Sequence, residues 1–409
     1  MYRKVFIYIY SICLQPFFTS VQAQLVPPQQ EDSLAASDKP VKISYQYKGF
    51  TLQTADKRFE FQIQSRLQFR FSTPGDQDPQ TFDDFREGKK RVLKINRARL
   101  KVGGHAFYPW LKYYWEYELS AGNLLDFKIM FEKWKAFSIK IGQWKTDFNR
   151  ERVISSGEQQ MIERSIINKP FTLDRQQGIA VYGRLKGKGP ADFNYWFSAL
   201  TGSGRGASTN DDKNLMYVGR VQWNFLGEEL QMSGSDIDHT KKPAGLIALA
   251  GVTNRSPYTR FSQAGGGYLD GFTGGAPGQY RVNQLLIETA FKYKGFSWQH
   301  ESHWKKIDDK INQAQTDLRG SYFQAGYFFH DVLGLIPRHL ETAFRFANYR
   351  PNMDQPDNTQ KEYSMAFNFF MNEHHNKLSS EFTWFSFQDT MLDMNAGGLR
   401  FRLQWDISL

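Results

Sequence analysis

The chain has 409 residues, 40% of them hydrophobic and 16% aromatic, with 52 basic against 42 acidic residues and a formal net charge of +10. That apolar share excludes an intrinsically disordered chain, and past the N-terminal segment no run of about 18 apolar residues exists to cross a bilayer as a helix. With 33 glycines and a mean hydropathy of -0.58, two kinds of chain fit: many short strands with turns, or a transmembrane barrel in which only alternate residues are apolar.

Residues 1–23 start with Arg3 and Lys4, run through the largely apolar Val5 to Phe18, and end on Val21-Gln22-Ala23, the spacing of an export cleavage site before Gln24. They read as a removable signal peptide. The single cysteine, Cys13, lies within it, so the exported chain is expected to hold no thiol and no disulfide. Without the two basic residues of the signal, 50 basic against 42 acidic residues leave +8. In an exported protein that excess points to small anions or lipopolysaccharide as partners, and away from nucleic acid. Residues 24–40, rich in Gln, Pro, Ser and Asp, read as a flexible leader, and 41–409 as the folded unit.

The first clear element is 59–71, apolar at every odd position except Ser65 and polar at every even one. Soluble strands usually run about 5 to 6 residues, whereas a tilted strand crosses a bilayer in about 9 to 11, so 13 alternating residues favour a membrane strand. The pattern recurs at 97–107, 111–120, 124–131, 137–145, 178–186, 191–200 and 215–225. It continues at 245–254, 283–294, 296–306, 318–329, 338–348, 360–371, 377–388 and 398–409, with 245–254 and 318–329 the least regular. The sum is about 16 strands, an even number as a closed antiparallel barrel needs. With both termini at one end, the long connections 72–91, 146–177, 201–214, 255–282, 307–317, 349–359 and 389–397 gather at the other, the external one. The tight turns at Tyr108-Pro109, Gly187 to Pro190, Gly295 and Asn372 to Asn376 gather at the periplasmic end. Two connections break the rule: 226–244 is long on the short-turn side, and 120–123 is short on the long-loop side.

The stretch Ile141-Gly142-Gln143-Trp144-Lys145, with Phe148-Asn149-Arg150-Glu151-Arg152, Glu163-Arg164-Ser165-Ile166-Ile167-Asn168, Asp174-Arg175 and Gly178, resembles the phosphate-selective porin O and P family. Arg97-Ala98-Arg99-Leu100 and the alternating C-terminal strand are similar to that family too. The resemblance covers the chain from about residue 50. It implies an all-β, trimeric, 16-stranded outer-membrane barrel of a Gram-negative bacterium, with the third external loop, here 146–177, folded inward to constrict a water-filled pore. The sequence departs from the pattern at Leu409, where such barrels often end on an aromatic residue, and in the shortness of what precedes Phe59.

A pore that favours anions needs cations on the polar faces of its strands, because guanidinium and ammonium donors replace lost hydration and Arg matches phosphate oxygens with a planar fork. Closure places the last strand beside the first, so Arg66, Arg70, Arg97, Arg99, Lys101, Arg400 and Arg402 share one wall, with Glu60 and Asp406 the acids of those three faces. Lys140, Arg184 and Arg220 stand on opposing strands, and Glu116, Glu118, Asp126 and Asp192 offset them. The constriction loop carries Lys145, Arg150, Arg152, Arg164, Lys169 and Arg175 against Asp147, Glu151, Glu158, Glu163 and Asp174. Several of these, notably Arg150, Glu151, Glu163 and Arg164, are expected to hold the loop through ion pairs.

Passive diffusion of small anions such as phosphate is the first reading. A general or sugar-permeable porin is the second, since water in any large barrel solvates charged lining. Sugar channels use a run of aromatics along the lumen, whereas Tyr182 and Trp196 are isolated inward candidates. An enzyme is the third class: His300 and Ser302 share a strand face, as an outer-membrane phospholipase would need, but no residue is placed to orient the histidine. His374-His375 lacks a third metal ligand, and the glycines at 265–267 and 274–275 lack the strand-to-helix setting of a phosphate-binding loop. A binding or adhesion role for 255–282 stays open. Neither cofactor nor catalytic residue is implied.

Overall fold

The computed structural model describes residues 41–46, 49–86, 90–206, 209–211, 213–262 and 266–409. Residues 1–40, where the signal peptide with Cys13 and the leader are expected, lie outside the described residues. Sixteen antiparallel strands close into a barrel. They are β3 (Glu60–Thr73), β4 (Val92–His105), β5 (Leu111–Glu118), β6 (Asn123–Trp134), β7 (Phe137–Lys145), β8 (Arg175–Lys186), β9 (Asp192–Leu200) and β10 (Met216–Trp223). The second half is β11 (Ala244–Ser256), β12 (Tyr280–Tyr293), β13 (Phe296–Asp309), β14 (Ala314–Phe328), β15 (Leu340–Arg350), β16 (Thr359–Asn372), β17 (Asn376–Asp389) and β18 (Met394–Ser408). Each strand pairs with the next, and β18 closes on β3 with Ser408 opposite Arg66 and Phe401 opposite Thr73.

Two short strands precede the barrel: β1 (Lys42–Gln46) and β2 (Gly49–Gln53), a hairpin that the alternation test misses because each spans only five residues. Their position has a physical reason. β18 runs out at Leu409, which exchanges backbone hydrogen bonds with Ser65, and β2 takes over the next stretch of the β3 edge, Phe50 opposite Ile63 and Gln53 opposite Glu60. No length of that edge is left to face hydrocarbon unpaired.

Outward positions carry exposed apolar side chains such as Phe69, Trp115, Ile141, Phe197, Leu249 and Phe344, while the alternate positions are polar and buried. This is the inverse of a soluble core and the pattern of a strand with lipid on one side. Toward the long-loop end of β12–β15 the alternation reverses. Val282, Ile307, Leu318 and Tyr349 point inward and are buried, while Arg281, Lys306, Arg319 and Arg350 point outward. The inner residues pack with Phe148, Ile167, Phe171 and Phe261 from inturned loops, so at that level the inner face of these strands is apolar and the outer face charged. That reversal is why 318–329 reads irregularly as a sequence.

Bulges reset the pattern locally. Register slips between Gln68 and Phe69 opposite Asn96, which lets Lys94 join the inner wall beside Arg70. Gly142, with φ of 130°, brings its backbone so close to the Phe127 carbonyl that a Cβ would sit 2.2 Å from the oxygen; an L side chain there would strain both strands.

Candidate pore lumen

Inside the barrel lies the connection 146–174. It holds two single-turn helices, α1 (Arg150–Val153) and α2 (Asn168–Phe171). Its limits are narrower than the sequence suggests. Lys145 is the last residue of β7 and stands opposite Arg175, the first of β8, so neither belongs to the loop. The ladder continues through this pair because Arg175 bonds Asp126 on β6, which anchors it to the wall.

A loop in a lumen must find partners for its backbone groups. Here a half-circle of carboxylates supplies the acceptors. The N–H of Arg150 donates to Glu288 on β12 (3.0 Å), that of Glu151 to Glu301 on β13 (2.7 Å), that of Ile162 to Glu381 on β17 and that of Ile166 to Glu362 on β16 (2.8 Å each). The Gln160 amide reaches Glu341 on β15 at 2.6 Å. Donors return the grip: Arg220, Lys305, Arg345 and Lys377 bond the carbonyls of Phe148, Pro170, Glu163 and Gln159 at 2.8–3.0 Å. Arg220 and Glu288, and Arg345 and Glu362, are themselves ion-paired, which spares these four the cost of a lone buried charge.

The long segment 224–243 enters from the opposite end. Arg150 reaches its carbonyls at Gln231 and Ser233, Gly234 donates to the Glu158 carbonyl at 2.8 Å, and Lys292 and Glu341 bond Ser235. The exception in the connection pattern is thus a second inturned piece, meeting the first inside the barrel.

The basic wall of β18, β3 and β4 faces these pieces, and it is largely compensated. Arg70 pairs with Asp76 (3.2 Å) and Glu163 (2.7 Å), Arg97 with Glu163 (3.1 Å), and Arg99 with Glu116 and Glu118 (2.8 Å each). Arg400 pairs with Asp78, and Arg402 with Asp76 (3.0 Å), Asp78 (3.1 Å) and Glu381 (3.3 Å). Asp76 and Asp78 come from the first long connection, a source of charge that strand faces alone do not reveal. Among the described residues Arg66 bonds the hydroxyls of Ser408 (3.1 Å) and Ser155 (2.7 Å). Among the described residues no carboxylate lies within ion-pair distance of Arg66, Lys101 or Lys169. On the other walls Lys140 pairs with Asp147 and Arg184 with Asp192 and Glu229, and within the inturned connection Arg152 pairs with Asp174. Arg220 also covers the Trp196 ring at 5.7 Å, and the Tyr182 hydroxyl bonds Glu132 at 2.6 Å.

Between the first and third connections the wall leaves a cavity of about 290 Å³, with Arg70, Lys94, Arg164, Lys169 and Arg402 set against Asp76, Asp78 and Glu163. Burial would raise Glu163, but Arg97, Arg70 and Arg402 overcome it and hold the carboxyl well below its usual range. Burial lowers Arg164 to about 9, with Arg152 and Arg97 adding to the effect; its guanidinium bonds the carbonyls of Glu151 (2.9 Å) and Ile154 (3.0 Å).

Glu151 behaves oppositely: burial pushes its carboxyl up to about 7 against the pull of Arg345, while it accepts the Ser165 N–H at 2.7 Å. A raised acid stabilises the fold fully below its unfolded value and loses that contribution as pH rises through the raised one. Loop docking should therefore loosen as pH goes from about 4.5 to about 7, seen as growing open-channel noise, with Glu151→Gln flat across that range. Noise that rises equally in both proteins would place the titrating group elsewhere.

His300 Nε2 and Ser302 Oγ lie 3.1 Å apart on the outward face of β13, and among the described residues no carboxylate or amide is bonded to the other ring nitrogen.

This architecture, a closed 16-strand barrel with polar lumen and inturned loops, was compared with known proteins. The family model for phosphate-selective porin O and P matches residues 61–407. The chain belongs to that family. The porin also resembles solved outer-membrane channels at low identity. The outer membrane channel DcaP of Acinetobacter baumannii aligns with TM-score 0.54 and 10% identity over 89% of this chain and 100% of its own. The anion-selective porin of Comamonas acidovorans gives 0.53 and 11% over 85% and 98%. OmpT of Vibrio cholerae gives 0.52 and 7% over 86% and 98%. No match is found among curated proteins. The porin is an outer-membrane channel protein of the Gram-negative type.

Proposed function

We propose that this porin passes small inorganic and organic anions, phosphate among them, by passive diffusion along the wall of β18, β3 and β4. The excess of five basic over three acidic side chains around the cavity carries the reading. The family's description and the name of the Comamonas acidovorans porin support it. Arg66, Lys101 and Lys169, which have no carboxylate within ion-pair distance among the described residues, offer the field that a passing anion meets, while Arg70, Arg97, Arg400 and Arg402 serve mainly to hold the first and third connections in place and Arg99 is tied to β5. The long connections face the exterior and residues 1–23 direct export. The assembly is a homotrimer, its outward belt in contact with outer-membrane lipid and lipopolysaccharide.

The test is the reversal potential across a planar bilayer under a salt gradient, for wild type and for Arg66→Gln, Lys101→Gln and Lys169→Gln combined. At an effective dielectric near 20, a unit charge at about 8 Å contributes roughly 2 kcal/mol, so the anion-to-cation permeability ratio should fall about tenfold or more. The difference should shrink near 1 M salt, where the Debye length is about 3 Å. A wild-type ratio close to one would instead support a general or sugar-permeable porin, a reading favoured by the many ion pairs along the wall.

A further inference from the structure

The outward surface at the long-loop end carries a band of cations that the pore does not use. Six consecutive strands each present one: Arg255 on β11, Arg281 on β12, Lys306 on β13, Arg319 on β14, Arg350 on β15 and Lys361 on β16. The only outward strand acids beside them are Asp308 and Asp317, and Asp308 is shared by Lys306 and Lys310 at 3.8 and 3.6 Å. The outward faces of β3, β9 and β10 carry no basic residue at all.

Register makes the band tense. Arg255 stands directly opposite Arg281, and Arg319 directly opposite Arg350. Like charges facing each other across a ladder are destabilising. Among the described residues no carboxylate lies within ion-pair distance of Arg255, Arg281, Arg319, Arg350 or Lys361. Arg319 instead covers the Trp304 ring at 5.5 Å.

Depth supplies the second argument. The band sits where alternation reverses, one or two outward positions above an apolar and aromatic belt that includes Leu285, Trp304, Phe323, Phe346 and Tyr363. Aromatic girdles mark the membrane interface, so the cations occupy headgroup level in one leaflet. Between them opens a cavity of about 390 Å³ on the outer wall, floored by Leu285 and Trp304 and flanked by Asn283, Lys306 and Arg319, with Asp317 opposite Lys306 as its one carboxylate among the described residues.

Resting on the outer-membrane reading, we infer that this band is a binding site for the phosphorylated disaccharide of an outer-leaflet glycolipid, lipid A. Its phosphates bridge the facing arginines in bidentate fashion and its acyl chains lie on the apolar belt beneath. An anion between two guanidinium groups turns a repulsive register into an attractive one, adding to the carbonyls of Gly278 and Gln355 that Arg255 and Arg350 already reach at 2.8 and 2.7 Å.

Native mass spectrometry of the delipidated protein in detergent tests this with three probes: lipid A bearing two phosphates, dephosphorylated lipid A, and phosphatidylglycerol. Wild type should retain diphosphorylated lipid A at least about tenfold better than either other lipid, and Arg281→Gln with Arg319→Gln and Arg350→Gln should lose that margin. Equal retention by the triple variant, or a wild type that does not distinguish the three lipids, overturns the site. Should the variant not insert, the wild-type comparison alone decides. Protein recovered in the outer membrane and conducting, yet without lipid A preference, refutes this site and leaves the channel reading standing; protein absent from that membrane refutes the reading on which the site rests.

Discussion

Replacing Glu301 and Glu362 together by Ala should raise the mean single-channel conductance about twofold or more and make it flicker. Each carboxylate accepts a backbone N–H of the inturned connection, Glu301 at Glu151 and Glu362 at Ile166, one in each half of it. Glu301 also holds the Asn149 amide at 3.0 Å, so its loss frees the start of the loop. Leaving a buried donor without its acceptor costs about 1–3 kcal/mol, and two such losses move the docked-to-undocked ratio by one to several powers of ten. The substitutions also strand Arg345, which pairs with Glu362 and bonds the Glu163 carbonyl. Barrel closure does not pass through these side chains, so mobility on a gel before and after heating should stay as in wild type. Conductance equal to wild type with a normal gel would mean that the loop does not limit the current.

A chain stopped at Gly398 should fail to insert altogether. Truncation removes Leu399 to Ser408, and with them the pairing of β18 to β3 from Phe401–Thr73 through Ser408–Arg66. The edge of β17 loses its partners over the same length, from Asn376 through Trp384. Unsatisfied backbone groups in hydrocarbon cost several kcal/mol each, and a dozen or so far exceed the few kcal/mol per domain by which proteins are stable. The β1–β2 hairpin cannot substitute, since it already pairs with Glu60 to Ile63 at the other end of β3. Normal amounts of protease-resistant barrel from the truncated chain would show that closure lies elsewhere.

The barrel could be read from sequence because a lipid-facing strand writes its environment as a strict period of two, as Phe59 to Phe71 do. Where the environment changes along a strand, the pattern failed to report it. Arg281 and Val282 look like a break in alternation, although they are a continuation of it with the apolar and charged sides exchanged. The short hairpin at 42–53 was hidden for a simpler reason, five residues being too few to show a period. At the site, clustering of Arg70, Arg400 and Arg402 on one wall followed from closure alone. Their neutralisation did not, since Asp76 and Asp78 lie in a connection whose path no periodicity sets. The inward glutamates at 288, 301, 341, 362 and 381 stood in plain view at polar positions. What marks them as anchors is the backbone they meet, and that is a fact of three dimensions.

The anchoring itself separates two properties that are usually tied together. Four of the five wall glutamates grip peptide N–H groups, which every residue except proline supplies in the same way. Loop side chains that face the opening, Lys169 among them, can then be exchanged without disturbing where the chain runs. For a pore builder, the barrel is a socket: the contour of the narrow passage is stored in the wall, while its chemistry is written in a stretch of sequence that is free to be rewritten.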